Sequence, residues 1–142
     1  MQESEYTIFY TIEKAIKTYR QFGQRQLMEN GFSTTIDQGL ILNIIQASPG
    51  ISQKEIAEKA FKDHASVTRI IENLVKSDLL QRDFHPKDRR RFHLTLTSKG
   101  LEMLKTMEPF VISYRQKALE GISVGEIESI RQVLGKLIQN CK

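Results

Sequence analysis

The sequence predicts a mainly α-helical protein with one small β-hairpin (α+β), and two observations support this. Along most of the 142 residues, apolar side chains recur every three or four positions, which is the spacing of an amphipathic helix. Between residues 80 and 96 this period gives way to alternating apolar and polar residues, which is typical of strands. The chain length suits one domain of common size, so residues 1–142 are interpreted as a single domain.

The first predicted helix has an apolar stripe and ends near Gly31, a plausible stop. The stripe consists of Ile8, Ile12, Ala15, Ile16, Tyr19 and Phe22. Thr35 and Gln38 then have the spacing of a capping box, which predicts the start of a second helix. That helix is expected to end at Ser48-Pro49-Gly50, because Pro and Gly interrupt regular structure.

Two short helices follow and form a helix-turn-helix pattern. Ser52 and Glu55 have the spacing of a second capping box, in which the hydroxyl accepts from the Glu55 amide and the carboxylate reaches the Ser52 amide. The short helix is interrupted at Phe61-Lys62-Asp63, and Asp63 can cap the next one. Two short helices separated by so few residues are typical of the helix-turn-helix.

The alternating segment predicts a hairpin with a basic tip. Its apolar and polar positions frame His85-Pro86-Lys87-Asp88-Arg89. Thr97 can cap the following helix, which Pro109 is expected to kink or split. A third capping box, Ser123 with Glu126, begins the last helix.

The net charge of +4 is concentrated in the middle of the chain. Residues 50–100 hold 11 Lys and Arg against 7 Asp and Glu, whereas the flanks hold four against five and six against five. A local basic region on an otherwise neutral chain is the electrostatic pattern expected for binding a polyanion, although a solvated charged turn is the alternative interpretation.

Several classes of protein are disfavoured by the residues. The single Cys141 excludes an internal disulfide framework and, with Glu3 and Glu5 where a signal peptide would be basic, favours a cytoplasmic protein. No apolar run approaches the length of a membrane span. No nucleophile, phosphate-loop or metal motif is present, so we expect neither an enzyme nor a bound cofactor. A metal at His85, His93 and Asp88 of the hairpin is the less favoured alternative to a polar hairpin.

The helix-turn-helix and hairpin together predict contacts with duplex DNA. A helix fits the major groove, and arginines on a narrow loop suit the adjacent minor groove. On the second helix of the motif we favour His64, Ser66, Thr68 and Arg69 over Asn73 and Lys76, because the N-terminal part of a recognition helix usually meets the bases. Ser66 and Thr68 could instead form a plain polar face. At the hairpin the predicted contacts are Lys87, Asp88, Arg89, Arg90 and Arg91. Ser52 and Gln53, at a helix N-terminus, are predicted to contact phosphate.

The run from Asp88 to Gly100 resembles the wing signature of the MarR-type transcriptional regulators, an Asp-x-Arg followed by Leu-Thr-x-x-Gly. Ser52-Gln53-x-x-Ile56-Ala57, Val67-Thr68-Arg69 and Leu79-Leu80-x-Arg82 match in the same order, and the resemblance covers roughly residues 8–140. It implies that Asp88 braces the wing while Arg90 enters or borders the minor groove. One departure is Asp78, where the family commonly has glycine after the recognition helix; Asp tolerates the left-handed conformation better than most residues.

The resemblance also implies a homodimer that binds a palindromic operator. Because members of this family usually repress transcription until a ligand binds, the resemblance further implies a repressor that a ligand releases from DNA. Residues 5–30 and 101–142 would form dimerisation helices flanking a winged helix-turn-helix lobe at residues 34–100. A small aromatic effector is a further partner that the family suggests. Tyr6, Tyr10, Tyr19 and Phe22 are candidates to line its site, although aromatic residues at helical spacing are more often core.

Two alternatives remain open at this point. Cys141 as an oxidant sensor is disfavoured, because a chain end is expected to fray and no sensing position matches. The rival function is a winged-helix module that binds an acidic protein partner instead of DNA.

Overall fold

The computed structural model describes the backbone of residues 3–85 and 87–142, and the side chains of residues 7–84, 87 and 93–142. This part of the chain contains six helices and one antiparallel hairpin, so the predicted mainly α fold is confirmed. In chain order the elements are α1 (Glu3–Glu29), α2 (Ile36–Ala47), α3 (Gln53–Ala60), α4 (His64–Lys76), β1 (Leu80–His85), β2 (Asp88–Leu96), α5 (Ser98–Ala118) and α6 (Val124–Asn140).

The predicted helix starts are confirmed, with one difference in detail. Thr35 and Ser123 cap α2 and α6 in complete capping boxes. Ser52 caps α3 and accepts from the Glu55 amide, but the reciprocal half of this box is not formed. The Glu55 carboxylate instead accepts from the Ser52 hydroxyl at 2.9 Å. The Ser52 amide therefore lacks the hydrogen bond to Glu55 that the sequence predicted.

Helix α5 is not split at Pro109, contrary to one of the two expected outcomes. The helix continues from Ser98 to Ala118 with Pro109 inside it. Met107 and Tyr114 are buried on either side of the proline, whereas Pro109 itself is exposed. Burial of these two large side chains offsets the backbone hydrogen bond that proline cannot donate.

The predicted hairpin is confirmed, with a shorter connection than residues 85–89. Leu80 pairs with Leu96 and Arg82 with Leu94. Strand β1 ends at His85 and β2 begins at Asp88, and the register is irregular after Phe84. The pairing His85↔Asp88 lies within the segment 85–89 that was predicted to connect the strands. The ladder of backbone hydrogen bonds therefore continues into this charged segment.

The core divides into two clusters. The larger one fills the space between α2, α3, α4, the hairpin and the start of α5. Its fully buried side chains are Ile41, Leu42, Ile56, Val67 and Ile71 together with Leu74. The smaller cluster, built on Leu27, Met107 and Tyr114, joins α1 to α5. The helix-turn-helix and hairpin thus share one core, while α1 and α5 form a second, smaller one.

Helix α6 and the first half of α1 expose apolar surface. No residue of α6 is buried, and Ile130, Val133 and Ile138 are more than half exposed. On α1, Ile8 and Phe9 are also more than half exposed. Across the described residues, no helix combines the length and apolarity needed to cross a membrane.

The first turn of α5 packs directly against the chain segment that follows α4. The Thr97 hydroxyl donates to the Asp78 carbonyl at 2.6 Å, and the Lys99 ammonium donates to the Ser77 carbonyl at 3.0 Å. Asp78 has a φ of 60°, so it adopts the left-handed conformation expected of it. A Cβ on Gly100 would lie 2.1 Å from the Leu79 carbonyl oxygen, which explains why glycine occupies this position. We call Ser77–Leu79 and Thr97–Gly100 the α4–α5 junction.

Gly100→Ala should therefore unfold or strongly destabilise the protein. The new methyl group would force the α4–α5 junction apart, since its obstacle is backbone and not a flexible side chain. We expect a loss of more than about 3 kcal/mol in the free energy of unfolding. Urea denaturation followed by circular dichroism measures it.

Gly125→Ala is the matched control. Gly125 lies in the first turn of α6, where a Cβ would meet only the Ser123 hydroxyl at 3.9 Å. The free energy of unfolding should stay equal or rise by up to about 0.5 kcal/mol, because alanine favours helix. Equal stability of the two variants would contradict the role assigned to Gly100.

Candidate nucleic-acid interface

The turn between α3 and α4 ends one helix and starts the next within three residues. Phe61 ends α3 in the left-handed conformation, with a φ of 55°, and its side chain is 94% exposed. The amide of Lys62 donates to the Ala57 carbonyl at 3.0 Å, the hydrogen bond of a Schellman motif. Glycine usually occupies the left-handed position, so a phenylalanine here holds some backbone strain.

Asp63 caps α4, as predicted. Its Oδ1 atom accepts from the Ser66 amide and its Oδ2 atom accepts from the Ser66 hydroxyl, both at 2.8 Å. These hydrogen bonds to the charged form hold the pKa of the Asp63 carboxyl below its ordinary value. The cap therefore carries a negative charge at the positive end of the α4 dipole at neutral pH.

Three of the four predicted recognition residues, Ser66, Thr68 and His64, are already hydrogen-bonded within the protein. The Ser66 hydroxyl donates to Asp63. The Thr68 hydroxyl donates to the His64 carbonyl at 2.9 Å and accepts from the amide nitrogen of Gln53. The same Gln53 nitrogen lies 3.4 Å from His64 Nε2. Gln53, half-buried, thus connects the start of α3 to the outer face of α4.

His64 and Arg69 are the recognition residues with exposed side chains. Ser52 is also exposed at the start of α3, whereas Ser66 and Thr68 are half-buried. The inner face of the same helix is fixed, because Val67, Ile71 and Leu74 are buried in the larger core. Helix α4 consequently presents His64 and Arg69 from a well-held backbone, and Glu72, Asn73 and Lys76 are also exposed further along the helix.

The hairpin carries the remaining predicted contacts. Lys87 lies in the connection between the strands and is exposed. Asp88, Arg89, Arg90 and Arg91 belong to β2, and their side chains lie outside the described residues. The predicted wing residues are thus brought to the end of the hairpin by the backbone.

The alternative metal site on the hairpin lies largely outside the described residues, because the side chains of His85 and Asp88 are not among them. His93 pairs with Asp83 across the strands and not with His85.

A cleft of about 740 Å³ lies between α1, α2 and α5. Tyr19 and Tyr114 line it, with ring centroids 5.8 Å apart. Of the aromatic candidates, Tyr19 is therefore at the cleft, Phe22 packs edge-on against Tyr114, Tyr10 is exposed, and Tyr6 lies outside the described side chains. Tyr19 packs against the smaller core, as expected of an aromatic residue at helical spacing, and it also lines the cleft.

The charged lining of the cleft is mainly cationic. It contains Arg20, Lys105 and Arg115, and Glu108 is the one acidic side chain among the described lining residues. Burial raises the pKa of the Tyr114 hydroxyl, so this group is a neutral hydrogen-bond donor at neutral pH. Sequence inspection did not single out these cations, because they come from two helices about 85 residues apart and have no common spacing.

Comparison with protein families and curated proteins identifies relatives of this arrangement. Residues 31–91, which contain α2 to the start of β2, match the model described as MarR family. A protein from Thauera aromatica, named as a transcriptional regulatory protein for the hcr operon, is 28% identical over 131 residues. The alignment covers 91% of this chain and 76% of that protein.

Solved structures share the fold over nearly the whole chain. A MarR variant from E. coli, in complex with operator DNA, aligns with a TM-score of 0.83 at 19% identity, covering 92% of this chain and 93% of that one. Bordetella bronchiseptica BpsR, whose DNA binding is regulated by 6-hydroxynicotinic acid, aligns with a TM-score of 0.80 at 24% identity, covering 92% and 91%. The chain therefore has the winged-helix architecture of these proteins, as the sequence predicted.

The cap of α4 gives a pH-dependent prediction. Asp63→Ala should lower the urea midpoint at neutral pH, because the Ser66 amide loses its acceptor. Since the pKa of Asp63 is lowered in the folded state, its contribution is present above the unfolded-state pKa and is lost as the pH falls through the folded-state pKa. The difference between the two proteins should shrink in acid.

Asp63→Asn supplies the control for charge. The side-chain oxygen of the asparagine in this variant still accepts from the Ser66 amide, but the side chain does not titrate. The difference in free energy of unfolding between Asp63→Asn and Asp63→Ala should therefore not change with pH through this position. A wild-type advantage over Asp63→Ala that grows as the pH is lowered would contradict the assignment.

Proposed function

We propose that this chain, whose residues 31–91 match the MarR family model, is a ligand-responsive repressor that binds a palindromic operator as a homodimer. The observation that carries the DNA contact is the state of α4. Its inner face is buried, its start is capped, its end is fixed at the α4–α5 junction, and His64 and Arg69 remain exposed. A helix held in this way loses little conformational entropy when it enters a major groove.

We propose a graded role for the polar groups of the helix-turn-helix. His64 and Arg69 make the direct contacts with bases, because their side chains are exposed. Ser66, Thr68 and Gln53 already have partners in the protein, and each retains hydrogen-bonding capacity for a base edge or a phosphate. Ser52 contacts phosphate from the N-terminus of α3.

The wing is proposed to contact the adjacent minor groove. Lys87, Arg89, Arg90 and Arg91 supply positive charge, and Asp88 braces the turn, as the family resemblance implies. The charge distribution supports this, since the entire excess of +4 comes from residues 50–100. Minor grooves over A·T-rich steps have the most negative potential and attract arginine.

Exposed apolar faces support the homodimer. Helix α6 buries no side chain within one chain, and its stripe of Ile130, Leu134 and Ile138 follows helical spacing. Ile8 and Phe9 of α1 are similarly exposed. We propose that residues 5–30 and 101–142 pair across a two-fold axis and that residues 34–100 form the DNA-binding lobe.

The cleft between α1, α2 and α5 is the proposed effector site. It opens between helices of the proposed dimerisation region and α2 of the DNA-binding lobe, and it contains the two tyrosines that suit an aromatic ring. Occupancy of such a cleft can bias the position of the lobe only if the ligand binds one arrangement better than the other. We propose repression because members of this family usually repress transcription.

The DNA contact is tested with the DNA upstream of the protein's own coding region. Fluorescence anisotropy at several salt concentrations should give a slope of log K against log salt of about −5 or steeper per dimer, because phosphate contacts release counterions. Arg69→Ala and Arg90→Ala should each weaken binding about tenfold. Unchanged binding by both variants would exclude the proposed interface.

Lys136→Ala is the matched control for charge. Lys136 is exposed on the face of α6 opposite its apolar stripe, so removing its charge should leave operator affinity unchanged. If the protein does not bind the duplex but binds an acidic polypeptide, the alternative function as a protein-interaction module would be supported instead.

The dimer is tested by a charge placed on α6. Ile130→Glu introduces a carboxylate at a side chain that is 55% exposed in one chain, so the folded protomer should tolerate it. Multi-angle light scattering should then report a monomer, because a charge buried in the dimer interface has no partner. Gln132→Glu, on the opposite face of α6, should remain dimeric. A dimer that survives Ile130→Glu would remove α6 from the interface.

A further inference from the structure

Phe61 is a strained residue whose side chain contributes almost nothing to the core. It lies between α3 and α4 with a φ of 55° and a ψ of 42°, the left-handed conformation that bulky residues seldom adopt. Its ring is 94% exposed, more than any other large apolar side chain of the described residues. Glycine or asparagine would adopt this conformation at a lower cost. Folding therefore gives no reason for a phenylalanine at this position.

The turn between α3 and α4 is held by groups other than the Phe61 ring. The amide of Phe61 donates to the Glu58 carbonyl at 3.3 Å, and the amide of Lys62 donates to the Ala57 carbonyl at 3.0 Å. These are the two hydrogen bonds of a Schellman motif, whose usual apolar contact comes from the residue after the left-handed one. That residue is Lys62, so the motif does not need the aromatic ring.

The two polar side chains that follow Phe61 are already paired within the protein. The Lys62 ammonium pairs with Asp37 of α2 at 3.0 Å and is 22% exposed. Both carboxylate oxygens of Asp63 accept from Ser66. The surface that this turn offers to a partner is therefore the ring of Phe61, which is flat and apolar. Ordering a phenylalanine ring also costs less entropy than ordering a lysine or an arginine.

The turn lies at the end of α4 that is proposed to meet the bases. Two residues separate Phe61 from His64, the first residue of α4, whose side chain is exposed. The next residue, Ala65, is exposed as well. Apolar groups thus accompany the polar ones at this end of the helix. In the major groove, the apolar group that a base pair presents is the C5-methyl of thymine.

We propose that Phe61 is a specificity-determining residue that packs against the C5-methyl group of one thymine in each half-site of the operator. The thymine lies in the major groove next to the bases that His64 and Arg69 contact. Contact between the ring and the methyl group removes apolar surface of both from water. This inference rests on the proposed operator binding and adds the recognition of one base.

Removal of the methyl group alone tests the contact. The probe is the duplex from upstream of the protein's own coding region, and its thymines are replaced singly by deoxyuridine in the region that the wild type protects from nuclease. Deoxyuridine lacks the C5-methyl group and keeps every hydrogen-bonding group of thymine. Fluorescence anisotropy measures the affinity of the full chain. At one position of a half-site, the wild type should bind about fourfold more weakly, because one methyl group no longer leaves water.

Phe61→Gly should remove this discrimination. At the same position, the variant should bind the thymine and deoxyuridine duplexes equally. It should bind the unmodified duplex about sixteenfold more weakly than the wild type, because a dimer loses one contact in each half-site. Its salt slope should equal that of the wild type, because no phosphate contact is lost. Phe61→Asn, which tolerates the left-handed conformation without the flexibility of glycine, should give the same results.

Asp78→Gly is the matched control for backbone strain. Asp78 is the other described residue besides glycine with a positive φ, and it lies just beyond the opposite end of α4. Neither glycine variant should lower the urea midpoint, because the relief of strain offsets the greater freedom of glycine in the unfolded chain. Asp78→Gly should keep the wild-type preference for thymine. A strong fall in the midpoint of both Phe61 variants would show that the ring stabilises the fold and would overturn the inference.

The outcomes distinguish this inference from the proposed function. A wild type that fails to bind the duplex would remove the proposed function itself. A wild type that binds with the expected salt slope but responds to no deoxyuridine would overturn the inference alone. So would a Phe61→Gly protein that binds more weakly yet keeps the preference for thymine, as a contact with deoxyribose predicts. Unchanged DNA binding by Phe61→Gly, as a contact with a partner protein predicts, would overturn it as well.

Discussion

The close approach between the first turn of α5 and the end of α4 is the constraint on which the rest of the structure depends. Gly100 permits it, because any side chain would meet the Leu79 carbonyl oxygen. Thr97 and Lys99 then bind the carbonyls of Asp78 and Ser77. This junction fixes the C-terminal end of α4 and the base of the hairpin to a 21-residue helix. Movement of α5 must therefore move both proposed DNA-contacting elements.

The two ends of the recognition helix are held by different chemistry. At the C-terminal end the Leu79 carbonyl accepts from the Thr97 amide, and the side chains of Thr97 and Lys99 bind the Asp78 and Ser77 carbonyls. Because Gly100 also lies against the Leu79 carbonyl, little adjustment is available without unfolding. At the N-terminal end the turn depends on a left-handed Phe61 and on Lys62, whose ion pair with Asp37 is partly exposed. Partly exposed ion pairs contribute modest free energy and can exchange partners. The N-terminal end is accordingly the more adjustable one. Asp37 connects it to the cleft, because this carboxylate pairs with both Lys62 and the cleft residue Arg20.

Much of the local structure could be predicted because it depends on neighbours in the sequence. Thr35, Asp63 and Ser123 each cap the expected helix, since a capping side chain reaches amides only two or three residues away. The existence and place of the hairpin followed from alternation. Interactions that depend on packing were not predictable: α5 continues through Pro109 because Met107 and Tyr114 are buried against α1 and its neighbours. The Glu55 carboxylate accepts from the Ser52 hydroxyl and not from the Ser52 amide. This difference also depends on side-chain geometry and not on sequence spacing.

The sequence by itself determined the order of the elements, the helix-turn-helix with its hairpin, the resemblance to the MarR family and the central location of the charge, because periodicity, caps and the Asp88-to-Gly100 signature are local properties. Only the tertiary structure decided which polar groups are available. It paired Gln53 with Thr68, joined Arg20 to Lys62 through Asp37, and placed Arg20, Lys105 and Arg115 around one cleft. These contacts join residues 15 to 95 positions apart, and their distances are set by how the helices pack, which no local pattern records.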